Sequence, residues 1–166
     1  MSAKNSIELK KGLKNVYFDK TNISDIDGKN GLLSYCGYDI NDLATNSTFE
    51  EVCFLLLYKY LPNDSELKIF QNKLNEINQL PKIALDIIYN LKESHPMDVL
   101  QSVISTIGSM ETKPSNFDTN STINMGIKLI AYTPMIVAAH QRIRNDQTPI
   151  QPKKNFSLAE NFLHML

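Results

Sequence analysis

The chain has 166 residues, 42% of them hydrophobic and 21% charged, and its 17 basic and 18 acidic side chains leave a net charge of −1. That is the size and make-up of one globular domain or of part of a larger one, apolar enough to exclude disorder and to hold a core without metal or disulfide. The near-neutral balance gives no positive field to gather nucleic acid or an anionic membrane. The chain is also poor in the side chain best shaped to grip carboxylate or phosphate, with Arg142 and Arg144 its two arginines.

Residues 1–12 form a lysine-bearing tail without the apolar segment of a secretory leader. Residues 13–40 are the part that reads as β: Leu13 to Ile26 carries β-branched and aromatic residues, Asp27-Gly28-Lys29-Asn30-Gly31 supplies turn chemistry, and Leu32, Leu33 and Tyr35 form a return strand. Two strands alone are marginal in water, so this predicts a small hairpin at the edge of something larger.

From Asn46 onward the period is helical. Ser47-Thr48-Phe49-Glu50-Glu51 offers two overlapping capping boxes, followed by Phe49, Val52, Cys53, Leu56 and Tyr60 at helical spacing, with Pro62 as the stop. A second helix is expected over Ser65 to Gln79 and a third from Pro81, a residue suited to a first turn, through Leu91. A fourth runs from Pro96 to about Ser109, with Met97, Leu100, Ile104 and Ile107 as its stripe. Met110 to Ser121 reads as a polar loop. Residues 122–145 are almost continuously helical, with Pro134 expected to kink or split them. After Pro149 and Pro152, Ser157-Leu158-Ala159-Glu160 is a further capping box, opening a helix over 158–166. That helix has neither a C-cap glycine nor a terminal cation, so it is expected to be cut short and to continue in further sequence. No stretch approaches the roughly 20 apolar residues that span a bilayer, so a soluble, cytoplasmic protein is expected, all-α apart from the amino-terminal hairpin.

Few residues invite chemistry. Cys36 and Cys53 have neither CxxC spacing nor an activating context, which points to a reducing compartment; Cys53 reads as a small buried hydrophobe and Cys36 as a turn residue. His95, His140 and His164 lie on separate helices without HxxH or HExxH spacing, so no metal is implied. His95 suits a cap at a helix start, while His140 and His164 read as face or rim residues. Asp25-Ile26-Asp27-Gly28 imitates half of a calcium loop, but the required acidic ends would fall on Ile23 and Ser34, and the match fails. The glycines form neither GxGxxG nor a Walker pattern, and Arg142-Ile143-Arg144 suits a helix C-terminus.

As a whole the chain resembles the citrate synthase family. The residues that carry the likeness are Gly31-Leu32-Leu33-Ser34-Tyr35-Cys36-Gly37-Tyr38-Asp39-Ile40, then Phe49-Glu50-Glu51-Val52 with Leu61-Pro62, then His95-Pro96-Met97-Asp98-Val99-Leu100. Ala138-Ala139 with Arg142 and Arg144, and Ala159-Glu160-Asn161-Phe162-Leu163-His164-Met165-Leu166, follow in the family's order. The resemblance makes residues 13–166 the amino-terminal part of the family's large domain, with helices over about 48–145.

The resemblance implies condensation of acetyl-CoA with oxaloacetate and water to citrate and CoA, in a homodimer without a cofactor beyond acetyl-CoA as substrate. In the family a histidine and an aspartate enolise the thioester methyl, and further histidine and arginines engage oxaloacetate. Their motifs, resembling HADHE, GPLHGGAN and GFGHRVY, are expected downstream of Leu166, so no catalytic residue is assigned within the chain and its CoA-binding residues stay unknown. Cys36 stands where many members have arginine, which puts one anion contact to CoA in doubt. Helices about 96–109 and 122–145 resemble the dimer-forming pair. Small residues Ser102, Ser105, Gly108, Gly126, Ala131, Ala138 and Ala139 would allow close approach there, or would pack the same subunit's core. A 2-methylcitrate synthase, or a non-catalytic helical interaction module on the same scaffold, are the alternative readings.

Overall fold

In a computed structural model of the chain, residues 12, 16, 19–110 and 118–166 are described. The tail, the start of the expected hairpin at Leu13 and most of the polar loop lie outside them.

Three short antiparallel strands open the described fold, β1 (Ser24–Asp27), β2 (Leu32–Tyr35) and β3 (Tyr38–Asp39), in the order β1-β2-β3 with Ile26 opposite Leu33 and Tyr35 opposite Tyr38. The Asp27 carboxylate shapes the first turn by accepting from the Lys29 and Asn30 amides. The second is a two-residue turn with both Cys36 (φ 50°) and Gly37 (φ 89°) in the left-handed region, the arrangement whose twist suits a tight hairpin. The single expected hairpin is therefore a three-stranded sheet beginning at Ser24. Asp39, the last residue of β3, also caps a short helix α1 (Ile40–Asn46) by accepting from the Asn41 amide.

Six longer helices follow: α2 (Phe49–Tyr58), α3 (Asp64–Glu76), α4 (Lys82–Asn90), α5 (Pro96–Met110), α6 (Thr119–Arg144) and α7 (Leu158–Met165). Reciprocal capping boxes start three of them, Thr48 with Glu51, Asn63 with Glu66 and Ser157 with Glu160. Helix α2 stops before Pro62, at Tyr58, where Lys59 turns left-handed and its amide bonds the Leu55 carbonyl. Pro81 stands at the cap of α4, one place ahead of its first turn.

Helix α6 departs most from expectation. It runs unbroken through Pro134, because a proline removes one backbone bond whereas this helix packs against α3, α4, α5 and α7. It is also long and apolar enough, by length and composition, to cross a bilayer, which corrects the count of uninterrupted apolar residues. About 33% of that stretch is buried against the chain's own helices. Ile136, Ala139 and Ile143 meet Ala84, Ile88, Val99, Val103 and Ile107 of α4 and α5. Ile127 and Ala131 meet Phe54, Phe70 and Leu74 of α2 and α3, and Met135 and Ala138 meet Met165 of α7. Aromatic rings reinforce the second cluster, Phe54 standing edge-on to Phe70 at 5.6 Å between centroids.

Candidate functional site

Both cysteines sit as structural residues. Cys53 is half-buried on α2 beside the second cluster, and burial, helped by the Glu50 charge, pushes its thiol up to about 11, so it is an inert thiol at neutral pH. The partly buried Cys36 thiol lies 3.7 Å from the Leu55 carbonyl and its amide donates to Ile23, so the turn that the resemblance associates with a cation is tied back onto the fold.

The histidines divide three ways. His95 caps α5, its Nδ1 accepting from the Met97 amide at 3.3 Å. His140, expected on a face or rim, is buried on the inner face of α6, and its Nε2–H donates to the Lys92 carbonyl at 3.2 Å, pinning the α4–α5 connection to α6. Its stripe position alone does not show this, because the partner lies 48 residues away. His164 is half-buried with its ring edge-on to Phe156. Asp27, the best acidic position of the failed calcium loop, is used on the turn, and bonds from Asn30 and Lys29 hold its carboxyl below the usual range. Among the described residues no group of three or more His, Cys, Asp or Glu could hold a metal ion.

The densest polar construction surrounds α7. At its start Glu50, whose carboxylate is buried, accepts from the Leu158 amide at 2.7 Å, joining α2 to α7 across 108 residues. The sequence assigned Glu50 to a capping box with Ser47; the structure caps with Thr48 and Glu51 and leaves Glu50 for this contact. Buried Asn161 accepts from the Lys153 amide and donates to the Lys153 and Phe156 carbonyls, fixing the approach to α7. At the other end Arg142 donates to the Thr148 carbonyl at 2.6 Å and to the Leu166 carbonyl at 3.3 Å, a clamp in addition to its expected place at a helix end. Two of the openings that flank α7 differ in character. One, of about 220 Å3, is lined by Glu50, Gln71, Asn75 and Lys154 among others; the second, of about 510 Å3, is walled by apolar residues of α2, α6 and α7.

The small residues expected at a dimer face serve largely within the chain. Ala131, Ala138 and Ala139 are buried in its own clusters, and a methyl added at Gly126 would come within 3.3 Å of the Leu57 side chain. Ser105 and Gly108 are exposed on α5. Taken together, His95, His140, Cys36 and Arg142 tie backbone segments together, and among the described residues no nucleophile, base and orienting group converge on a common point.

Comparison with known proteins identifies the fold. The family profile described as "Citrate synthase, C-terminal domain" matches residues 12–166. Citrate synthase 2 of Bacillus subtilis is 34% identical over 158 residues, covering 94% of this chain and 42% of that protein. 2-Methylcitrate synthase 1 of Corynebacterium glutamicum is 34% identical over 160 residues, covering 96% and 42%. In three dimensions the chain is similar to the citrate synthase of Thermoplasma acidophilum, solved as a ternary complex with carboxymethyl coenzyme A and oxaloacetate, with a TM-score of 0.88, 27% identity, and coverage of 95% of this chain and 42% of that one. The chain thus spans less than half the length of the relatives it matches. Over nearly all of its own length, in sequence and in fold, it belongs to the citrate synthase family.

Proposed function

We propose that these residues form the amino-terminal scaffold of a cytoplasmic acyltransferase that condenses acetyl-CoA with oxaloacetate. In that reaction the thioester methyl loses a proton, the resulting carbon attacks the ketone of oxaloacetate, and water cleaves the thioester to give citrate and free CoA. Acetyl-CoA acts as substrate, and the reaction needs no resident metal or cofactor. The observation that carries the proposal is the match of 95% of the chain, at a TM-score of 0.88, to an enzyme solved with carboxymethyl coenzyme A and oxaloacetate.

The residues that move protons belong to the part of the enzyme outside these 166 residues. His95 and His140 are engaged with backbone partners, and His164 with a ring. Helices α5 and α6 are proposed to form the homodimer contact, with exposed Ser105 and Gly108 on the meeting face. Release of thiol from acetyl-CoA in the presence of oxaloacetate tests the assignment. The expected result is no turnover by the 166 residues alone and turnover by a chain that carries the remaining part; turnover by these residues alone would overturn the division of labour, and none by the longer chain would overturn the reaction. A second reading, 2-methylcitrate synthesis, is favoured by the equal 34% identity to the Corynebacterium enzyme. Comparing the longer chain on acetyl-CoA and on propionyl-CoA, whose extra carbon supplies the 2-methyl group, separates the two.

A further inference from the structure

Asn30 is the one asparagine of the chain that a glycine follows. The pair lies in the exposed turn of residues 28–31 between β1 and β2, where Gly31 takes a left-handed backbone (φ 68°) and a Cβ added to it would meet nothing within 4 Å. The Gly31 amide nitrogen therefore has no side chain of its own to shield it from the residue before. Asp27 holds the pair in place. One of its carboxylate oxygens accepts the Lys29 and Asn30 amides at 3.0 and 3.2 Å, and the other accepts the Asn30 side-chain N–H at 2.6 Å. Asn30 must release that last bond before its side chain can swing onto the next nitrogen. Asp27 precedes a glycine as well, but the same bonds keep its carboxyl ionised, and a carboxylate resists nucleophilic attack where a neutral amide does not.

We propose that Asn30 is a site of spontaneous deamidation, that Asp27 restrains it while the turn is closed, and that the product loosens the β1–β2 hairpin. In the reaction the Gly31 amide nitrogen attacks the Asn30 side-chain carbonyl carbon. The new C–N bond closes a five-membered succinimide, the bond from that carbon to Nδ2 breaks, and ammonia leaves with the proton that the Gly31 nitrogen gives up. Water then adds to one of the two ring carbonyls. Addition at the side-chain carbon gives aspartate; addition at the main-chain carbon gives isoaspartate, whose chain runs on through the former side chain. No electrons are exchanged, and water is the only co-reactant. Aspartate sets a carboxylate where Asp27 had accepted an N–H at 2.6 Å, so an attraction becomes a repulsion between like charges. Isoaspartate lengthens the backbone of the turn. Either product strains the closure that places Asp27 opposite Leu32, and the change is irreversible without a repair enzyme.

The test incubates the folded chain for weeks at mildly alkaline pH and follows each asparagine by peptide mapping, reading the gain of one dalton and, for isoaspartate, labelling by an isoaspartate-specific methyltransferase. The Asn30 peptide should convert about tenfold faster than any other asparagine peptide, because only its neighbour lacks a side chain. Asp27→Ala should speed that conversion about threefold, towards the rate of the parent unfolded in guanidinium, which measures the unrestrained reaction without any substitution. Circular dichroism checks that the variant keeps its helices. Asn30→Asp, which carries the new charge from the start, should speed amide exchange in β1 and β2 about fivefold, and by more than Asn30→Ala, which loses the bond without adding charge. An Asn30 peptide no faster than the rest overturns the site. A folded parent as fast as the unfolded one, or an Asp27→Ala rate equal to the parent's, overturns the restraint, and equal exchange in Asn30→Asp and Asn30→Ala overturns the repulsion. A longer chain that carries the remaining part should rank its asparagines in the same way; loss of the Asn30 signal there would show the turn covered and overturn the site in the whole protein.

Discussion

Replacing Glu50 with alanine should cost the isolated fold about 2 kcal/mol. The carboxylate accepts the Leu158 amide at 2.7 Å from a buried position, and a hydrogen bond to a charged group contributes about 1.5–3 kcal/mol. Its charge also faces the positive end of α7, which adds about 0.3–1 kcal/mol. Against this stands the cost of keeping a carboxylate from water. That cost is limited here because Glu50 borders an opening of about 220 Å3 that contains Gln71, Asn75 and Lys154. Glu50→Gln keeps an acceptor of the same shape and loses the charge, so about 1 kcal/mol is expected. Urea unfolding followed by circular dichroism gives the two stabilities, and amide exchange at Leu158 should accelerate by about 30-fold in the alanine variant if α7 opens locally. An alanine variant within 0.5 kcal/mol of the parent would refute the reasoning. A glutamine variant more stable than the parent would do so as well, by showing that desolvation outweighs the bond.

Three further outcomes follow from the same geometry. With its thiol near 11, Cys53 holds only about one part in a thousand of thiolate at pH 8, so mass spectrometry after iodoacetamide treatment of the folded chain should find it unmodified until denaturant is added. Glu160 is held below its ordinary value of 4.5 by bonds from the Ser157 amide and hydroxyl. A lowered folded value stabilises above the unfolded one and is lost as pH falls through the folded one, so α7 should fray below about pH 4.5; far-ultraviolet dichroism should show this loss reduced in Glu160→Gln. His140→Ala removes the donor to the Lys92 carbonyl and leaves a void beside α6, which should lower the unfolding free energy by about 2 kcal/mol in a urea titration, and an unchanged midpoint would contradict the buried bond.

Helix starts were legible because capping is local: Thr48 and Glu51, or Ser157 and Glu160, announce a first turn from four adjacent residues. Helix α1 was not, since it has seven residues with Leu43 buried, too short a span for periodicity to register, and its cap Asp39 also ends a strand. Pro134 misled because local propensity predicts a break, whereas packing on four neighbouring helices decides the outcome. The buried polar residues were the least legible. Glu50, His140 and Asn161 sit within helical patterns like their exposed neighbours, and what distinguishes them is a partner amide or carbonyl that the chain brings near only when folded. The apolar wall beside Phe49 and Phe162 was not legible either, because it required three helices to be placed together.

Helix α6 contributes side chains to all three buried clusters, so none of them can be completed before it docks, and none can dissolve without exposing its flank. The helical part should therefore melt as one cooperative unit in which damage to any cluster is felt by the others. The strands β1 to β3 pack chiefly on one another and on α1, so they are free to open on a smaller energy scale. Sequence change can accumulate in the strands at little risk to the bundle, while each apolar position along α6 answers to several neighbours at once.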